Sequence, residues 1–182
     1  RGTAGRHVAK VQKFLRIFLD IVLWRRGPQD LPASSLLLAV TVAAYVVVSI
    51  VQLALLDEPA SSWLFFLVVD PLLLGAWVWM LLKLYGKSER FQQTASAVFG
   101  TGAVLGLALY LPLQLIVTAI GEAPTSGIAQ VFGLLVLVTF ALVAGRIFKL
   151  ATDSNLFTGI AVALTYFMIV NLLVGLMRGS GS

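Results

Sequence analysis

The sequence predicts an all-α protein: a polytopic transmembrane helical bundle of five spans with an N-terminal amphipathic interfacial helix. Hydrophobic residues make up 59% of the 182-residue chain and charged residues only 12%, whereas soluble domains carry about a quarter charged residues. Five apolar stretches are each long enough for a bilayer, which needs about 20 residues per helix. The charges are concentrated in the segments that flank these stretches.

The five stretches define the predicted domain organisation. The spans are expected at residues 34–56, 62–85, 95–120, 127–150 and 156–177. Because the connections between them are short, we expect one five-helix transmembrane domain over 34–178. Residues 1–33 are expected to form a cytoplasmic tail that includes the amphipathic helix. Residues 179–182, Gly-Ser-Gly-Ser, are typical of an artificial linker and carry no functional argument.

The segment from about residue 7 to residue 24 has a helical pattern, with one apolar stripe that includes Phe18 and Val22. Two arrangements fit this stripe. The helix either lies in the membrane interface with its cations against anionic headgroups, or packs on the cytoplasmic ends of the bundle. The residues expected to contact headgroups are Lys10, Lys13, Arg16, Arg25 and Arg26.

Span one is expected to begin after Pro28 and Pro32, which bar helix continuation, with Ser34 or Ser35 as its cap. Span two carries Asp70 directly before Pro71. The proline removes a backbone donor and is expected to kink the helix. We expect the Asp70 carboxyl to be protonated and hydrogen-bonded to Asn171 or Gln114, and the alternative is a protonatable switch.

Span three contains the sequence FGTGAVLG, in which Gly102 and Gly106 form a GxxxG pattern. Small residues at this spacing let two helix backbones approach closely. Two uses of this face remain open at this point: packing within one bundle, and self-association into a homodimer. Pro112 is expected to kink the same helix.

Each span also carries one amide or carboxyl in the half that the orientation below places outside. These residues are Gln52, Asp70, Gln114, Gln130 and Asn171. Because a polar group facing lipid is costly, they are expected to converge on one intramembrane polar layer. The layer serves either as interhelical hydrogen bonding, which we favour, or as a substrate or proton site.

The basic residues predict the orientation. If the spans alternate, all of the 13 Lys and Arg residues except Arg178 fall on one side of the membrane. The opposite loops contain Asp57, Glu58 and Glu122 and no Lys or Arg. The positive-inside rule therefore predicts a cytoplasmic N-terminus and an external C-terminus.

The composition argues against several functional classes. The chain has no Cys and one His, so neither a thiolate nucleophile nor a metal site of ordinary ligands is expected. It has no HExxH and no phosphate-binding glycine loop, so we expect no enzyme activity, no cofactor and no metal. The net charge of +5 is distributed at span ends, which favours lipid headgroups over nucleic acid.

The amphipathic lead, the GPQDLP segment before span one, five closely spaced helices and a glycine-rich third span resemble the bacterial Yip1-like membrane proteins. Of the Asp-Leu-Tyr-Gly-Pro motif of eukaryotic members, the chain has only Gly27-Pro28 and Asp30-Leu31-Pro32. The resemblance implies a non-enzymatic adaptor or organiser of the bacterial inner membrane, with lipids and other membrane proteins as partners. The alternative function is a small transporter or lipid-handling protein that uses the polar layer around Asp70.

The predicted orientation can be tested with reporter fusions. Fusions after Lys87 and after Asp153 are expected to report a cytoplasmic location, because basic residues flank both sites. Fusions within 57–61, near Glu122 and after Arg178 are expected to report an external one. A cytoplasmic C-terminus would contradict the alternation of five spans.

Overall fold

Five long apolar helices form the bundle and confirm the predicted fold class. The structure is a computed structural model that describes residues 16–56, 63–121, 123 and 126–179. The helices are α1, Ser35–Leu55; α2, Phe65–Leu84; α3, Ser88–Ala119; α4, Gly127–Thr152; and α5, Leu156–Gly179. All five are long and apolar enough to cross a membrane, so the chain is an integral membrane protein.

The polar residue before a helix sets the start of three of these helices. The side chain of Ser34 accepts a hydrogen bond from the third backbone N–H of α1, and that of Ser126 does the same for α4. The Asn155 side chain accepts from the backbone N–H of Thr158 at the start of α5, at 2.8 Å. Each cap binds one of the backbone donors that the first helical turn leaves without a partner.

The third helix begins earlier than expected, at Ser88 rather than at residue 95. The prediction located the apolar stretch, and the helix also includes the polar turns that precede it. These turns extend past the apolar stretch and bind the chain before α1: the Gln93 side chain donates to the carbonyl of Leu31 at 2.7 Å.

Both α2 and α3 contain one widened turn that ends two residues before a proline. Residues Phe65–Val69 and Gly106–Tyr110 form these turns, in which hydrogen bonds run from residue i+5 to residue i. The N–H of Asp70 reaches the carbonyl of Phe65, one residue further back than in an α-helix. A proline has no N–H and its ring crowds the carbonyl four residues earlier, so an extra residue in the preceding turn relieves the conflict.

The helices pack as two close pairs, α1 with α3 and α4 with α5, and α2 contacts members of both. Glycine permits the α4–α5 contact. A Cβ at Gly145 would lie 2.8 Å from the backbone nitrogen of Ile160, and a Cβ at Gly159 would meet the carbonyl oxygen of Gly145. The two backbones therefore touch, which only glycine at these positions allows.

The basic residues gather at one end of the bundle, where α2 ends, α3 begins and α4 ends. We call this the basic end; its residues include Lys83, Lys87, Arg90, Arg146 and Lys149. Asp153 binds Lys87 at 2.9 Å and Arg90 at 3.0 Å. The hydrogen bonds from Arg90 and then Lys87 lower the pKa of Asp153 to about 2. This cluster joins the α2–α3 connection to the end of α4.

The N-terminal segment docks on the basic end. Residues 16–22 are helical, and Phe18 and Ile21 are 3% and 2% exposed in the same core as the bundle. The Phe18 ring occupies the space beside Gly100 where a Cβ would project. The described part of this helix therefore packs on the bundle, one of the two predicted arrangements. Lys10 and Lys13 lie outside the described residues.

Arg146 holds the turn that follows this helix. Its guanidinium donates to the carbonyl of Arg26 at 3.0 Å and lies 5.3 Å from the centre of the Trp24 ring. Trp24 has a φ of 65°, a left-handed conformation that is unfavourable for a bulky residue. The two contacts of Arg146 compensate for that strain, so the turn has one defined position on the bundle.

Two glycines in α4 provide a matched test of the α4–α5 contact. Gly145→Ala is expected to lower stability by about 1–3 kcal/mol, because its Cβ overlaps Ile160. At Gly133, a Cβ meets nothing within 4 Å, so Gly133→Ala is expected to leave stability unchanged or slightly higher. Thermal unfolding in detergent measures both, and equal effects at the two sites would contradict the close contact.

Candidate functional site

Asp70 places a carboxyl group inside the membrane-spanning part of the bundle. Its side chain is 5% exposed, and among the described residues it is the one Asp, Glu, Lys or Arg that is buried. It is the first residue of the regular part of α2, directly after the widened turn and before Pro71. Such a group is costly in hydrocarbon unless it has hydrogen-bond partners.

Two tyrosines supply those partners. The hydroxyl of Tyr45 in α1 donates to Oδ2 of Asp70 at 2.7 Å. The hydroxyl of Tyr166 in α5 donates to Oδ1 at 2.7 Å and also lies 3.3 Å from the backbone carbonyl of Asp70. Each carboxyl oxygen thus has its own phenol donor, at a distance typical of strong O–H···O hydrogen bonds.

Aromatic contacts orient both phenols. The Tyr45 ring meets Phe99 of α3 edge-on, with ring centres 5.4 Å apart. It also lies over Gly102, where a Cβ would come within 3.1 Å of the ring. Trp77, two turns after Asp70 in α2, has its ring centre 6.1 Å from that of Tyr166. The ring packing by itself therefore places both tyrosine hydroxyls near the Asp70 carboxyl.

The cluster of Tyr45, Asp70 and Tyr166, which we call the carboxyl–tyrosine cluster, connects three helices. Tyr45 belongs to the α1–α3 pair and Tyr166 to the α4–α5 pair, so Asp70 links the two pairs through α2. It contains neither a histidine nor a thiol that would support nucleophilic catalysis. No group of His, Asp or Glu side chains suited to a metal ion occurs in the described part of the chain. The arrangement suits a hydrogen-bonded tie between helices.

Asn171 and Gln114 were the expected partners of Asp70, and the structure replaces them with the two tyrosines. Asn171 is exposed and its amide donates to the carbonyl of Phe167 in its own helix, at 2.8 Å. It lies more than a turn beyond Tyr166, the α5 residue that reaches the carboxyl. The hydrogen-bonded partner of Asp70 on α5 was therefore predicted at the wrong depth.

None of the other described members of the predicted polar layer donates a hydrogen bond to the Asp70 carboxyl. Gln52 donates to the backbone carbonyl of Gly106 at 2.9 Å, two turns along α1 from Tyr45. Gln114 is half-buried and Gln130 is exposed. The hydrogen bonds of Gln52, Asp70 and Asn171 thus go to other groups and do not assemble these side chains into one site.

Sequence reasoning did not connect Tyr45 and Tyr166 with Asp70. The positions of the two tyrosines within their helices could have indicated this contact. Each lies ten residues after the start of its helix, α1 or α5, and so near mid-membrane. Tyrosines of membrane proteins are enriched at the interfaces instead, where the hydroxyl reaches water. A tyrosine at mid-span therefore indicates an internal acceptor, and Asp70 was the available carboxyl.

The two glycines of the GxxxG pattern face α1 of the same chain. Gly102 lies under the Tyr45 ring, and a Cβ at Gly106 would come within 2.8 Å of the Gln52 amide and 3.1 Å of Val48. This face is therefore occupied by intramolecular packing. A homodimer through these glycines would require α1 to leave α3.

Three of the basic residues expected at headgroups can be located. Arg16, Arg25 and Arg26 are all exposed at the docked N-terminal segment. Arg26 is also 3.4 Å from Asp20, which partly neutralises its charge. Arg16 and Arg25 therefore provide the accessible cations of this segment.

The chain matches no protein-family model, no curated protein and no solved structure. The resemblance to Yip1-like proteins accordingly rests on the layout of the sequence alone.

Phenylalanine substitutions test the carboxyl–tyrosine cluster. Tyr45→Phe and Tyr166→Phe are each expected to lower stability by about 1–2 kcal/mol, because each removes a donor from a buried carboxyl oxygen. In an Asp70→Leu background, the same changes are expected to cost much less, since the acceptor is gone. Thermal unfolding in detergent of the wild type, the three single variants and the two double variants measures this coupling.

Tyr85→Phe is the control, because Tyr85 is 41% exposed at the end of α2. It is expected to have little effect in either background. Additive losses for the Tyr and Asp70 variants would contradict the role of the cluster as a tie between helices.

Proposed function

We propose that the protein is a non-enzymatic adaptor or organiser of the bacterial inner membrane, with its N-terminus in the cytoplasm. It acts by binding anionic lipid headgroups, and through them neighbouring membrane proteins, at its basic end. The buried carboxyl supports a non-enzymatic role, because both of its oxygens are used to hold helices together.

One observation carries the proposal: the N-terminal segment is anchored by one face and presents a second, amphipathic face. Phe18 and Ile21 are buried in the bundle, while Leu23 is 58% and Trp24 43% exposed. The exposed apolar side chains lie beside exposed Arg25. Apolar side chains next to cations are the combination that binds at the boundary of acyl chains and anionic headgroups.

The gathering of cations at one end supports the proposed orientation. Lys87 and Arg90 lie at the connection between α2 and α3, Arg146 lies near the end of α4, and all three meet there with the N-terminal segment. Basic connections face the cytoplasm in most membrane proteins. The same leaflet carries the anionic lipids that would bind them.

The alternative function, a small transporter or lipid-handling protein, has one supporting observation. Asp70 is an ionisable residue beside a widened helical turn inside the membrane, and transporters use ionisable residues within irregular helices at substrate and ion sites. However, Asp70 is 5% exposed and both its oxygens are bound, which favours a structural tie.

The lipid-binding proposal is tested by lipid titration of the detergent-solubilised full chain. Phosphatidylglycerol is expected to raise the thermal stability of the wild type more than phosphatidylcholine does. Arg25→Gln is expected to weaken the apparent affinity for phosphatidylglycerol about fivefold, because a cation near an anionic surface contributes about 1 kcal/mol. High salt is expected to reduce the same difference.

Thr118→Glu serves as a charge-matched control, because it also lowers the net charge by one but lies at the opposite end of α3 on an exposed position. It is expected to leave the affinity for phosphatidylglycerol unchanged. Equal stabilisation by both lipids, or equal effects of the two substitutions, would overturn the proposal.

A further inference from the structure

Helix α5 lies at the edge of the bundle and leaves one face uncovered. Its inner side packs on α4, and Tyr166 reaches Asp70. On the outer side, Met168 is 71% and Leu172 64% exposed. Asn171 is exposed on the flank of the same face. Asn171 lies about 22 Å along the helix axis from Leu156, the first residue of α5. This distance is smaller than the thickness of the hydrocarbon layer, roughly 30 Å.

The Asn171 amide has unused hydrogen-bonding capacity in this position. One N–H donates to the carbonyl of Phe167, and the oxygen Oδ1 has no partner among the described residues. A side-chain amide has two N–H donors and an oxygen with two lone pairs. Lipid tails supply no partner for either group, whereas a neighbouring protein surface can.

The threonine hydroxyls at three positions of the spans do not share this need. Hydroxyls of three threonines donate to a carbonyl four residues earlier in their own helices: Thr118 to Gln114, Thr139 to Leu135 and Thr165 to Ala161. A hydroxyl bound in this way has no donor left. Asn171 therefore differs from them in presenting both a donor and an acceptor at the outer face.

Gly175 follows Asn171 by one turn on the same face. A Cβ at Gly175 would meet nothing within 4 Å, so the α5 backbone is open to a neighbour here. A small residue next to a polar one is the combination that permits close approach and interhelical hydrogen bonding in membranes.

We propose that a second copy of this chain covers this face, with the Asn171 amides of the two copies hydrogen-bonded to each other. Two copies inserted in the same orientation are related by a two-fold axis along the membrane normal, and Asn171 then meets Asn171 at the same depth. An amide is complementary to itself, because it both donates and accepts. The surface is distinct from the basic end, so this proposal stands or falls separately from the lipid-binding function.

The absence of native cysteine makes the test direct. Two single-cysteine variants of the full chain are made, Gly175→Cys and Val47→Cys. Each variant is reconstituted in liposomes at a low protein-to-lipid ratio and then oxidised. Gly175→Cys is expected to form a disulfide-linked dimer, because a disulfide requires Cα atoms within about 7 Å. Val47→Cys, at a 56% exposed position of α1, is expected to stay monomeric. Equal cross-linking at both positions would indicate random collision and overturn the proposal.

The role of the amide is tested in the Gly175→Cys background. Asn171→Leu is expected to lower the dimerisation constant about 3- to 30-fold, while Asn171→Gln retains most of it. Thr165→Val is the control on the same face and is expected to have no effect. The monomer's thermal stability should be unchanged by Asn171→Leu, since the residue is exposed. Unaltered cross-linking in Asn171→Leu would overturn the proposed amide contact.

Discussion

The carboxyl of Asp70 imposes the constraint on which the rest of the bundle depends. A buried carboxyl in a membrane must receive hydrogen bonds from the protein, and here each oxygen receives one from a different helix pair. The widened turn before Pro71 sets the position of Asp70 in α2. Phe99 and Trp77 pack against the rings of the two donating tyrosines. Residues of several helices thus support the hydrogen bonds to Asp70. These bonds hold α2 between the two helix pairs, although α2 packs less extensively than the helices within each pair.

Close backbone approach is the second organising element, and glycine provides it at each major contact. Gly102 and Gly106 bring α3 against α1, Gly145 and Gly159 bring α4 against α5, and Gly100 admits the ring of Phe18. Within a membrane the hydrophobic effect does not drive helices together, so close packing and hydrogen bonds must do so. The glycine contacts act within each pair, and the carboxyl–tyrosine cluster acts between the pairs.

The described surface is divided into regions of different chemistry. At the basic end, exposed apolar side chains of the N-terminal segment lie next to cations, a combination suited to an anionic leaflet. Along α5, the exposed surface is largely apolar and includes an amide whose acceptor is unused. The first region suits lipid headgroups and the second suits another helix. An adaptor that binds lipid at one end and associates laterally with itself would use both.

The sequence by itself determined the number of spans, their approximate ends and the serine cap of α1, because these depend on local hydrophobicity, length and capping chemistry. It also pointed to Asp70 as the unusual residue, since a carboxyl in an apolar stretch is conspicuous without any structure. Only the tertiary structure decided which groups bind it. Linear depth placed Asn171 and Gln114 near Asp70, but the choice of partner depends on how α1 and α5 are rotated and offset against α2, which hydrophobicity does not encode. The same reason applies to the glycines of α3: their spacing predicts close approach, and only the packed bundle shows that α1 of the same chain is the helix that approaches.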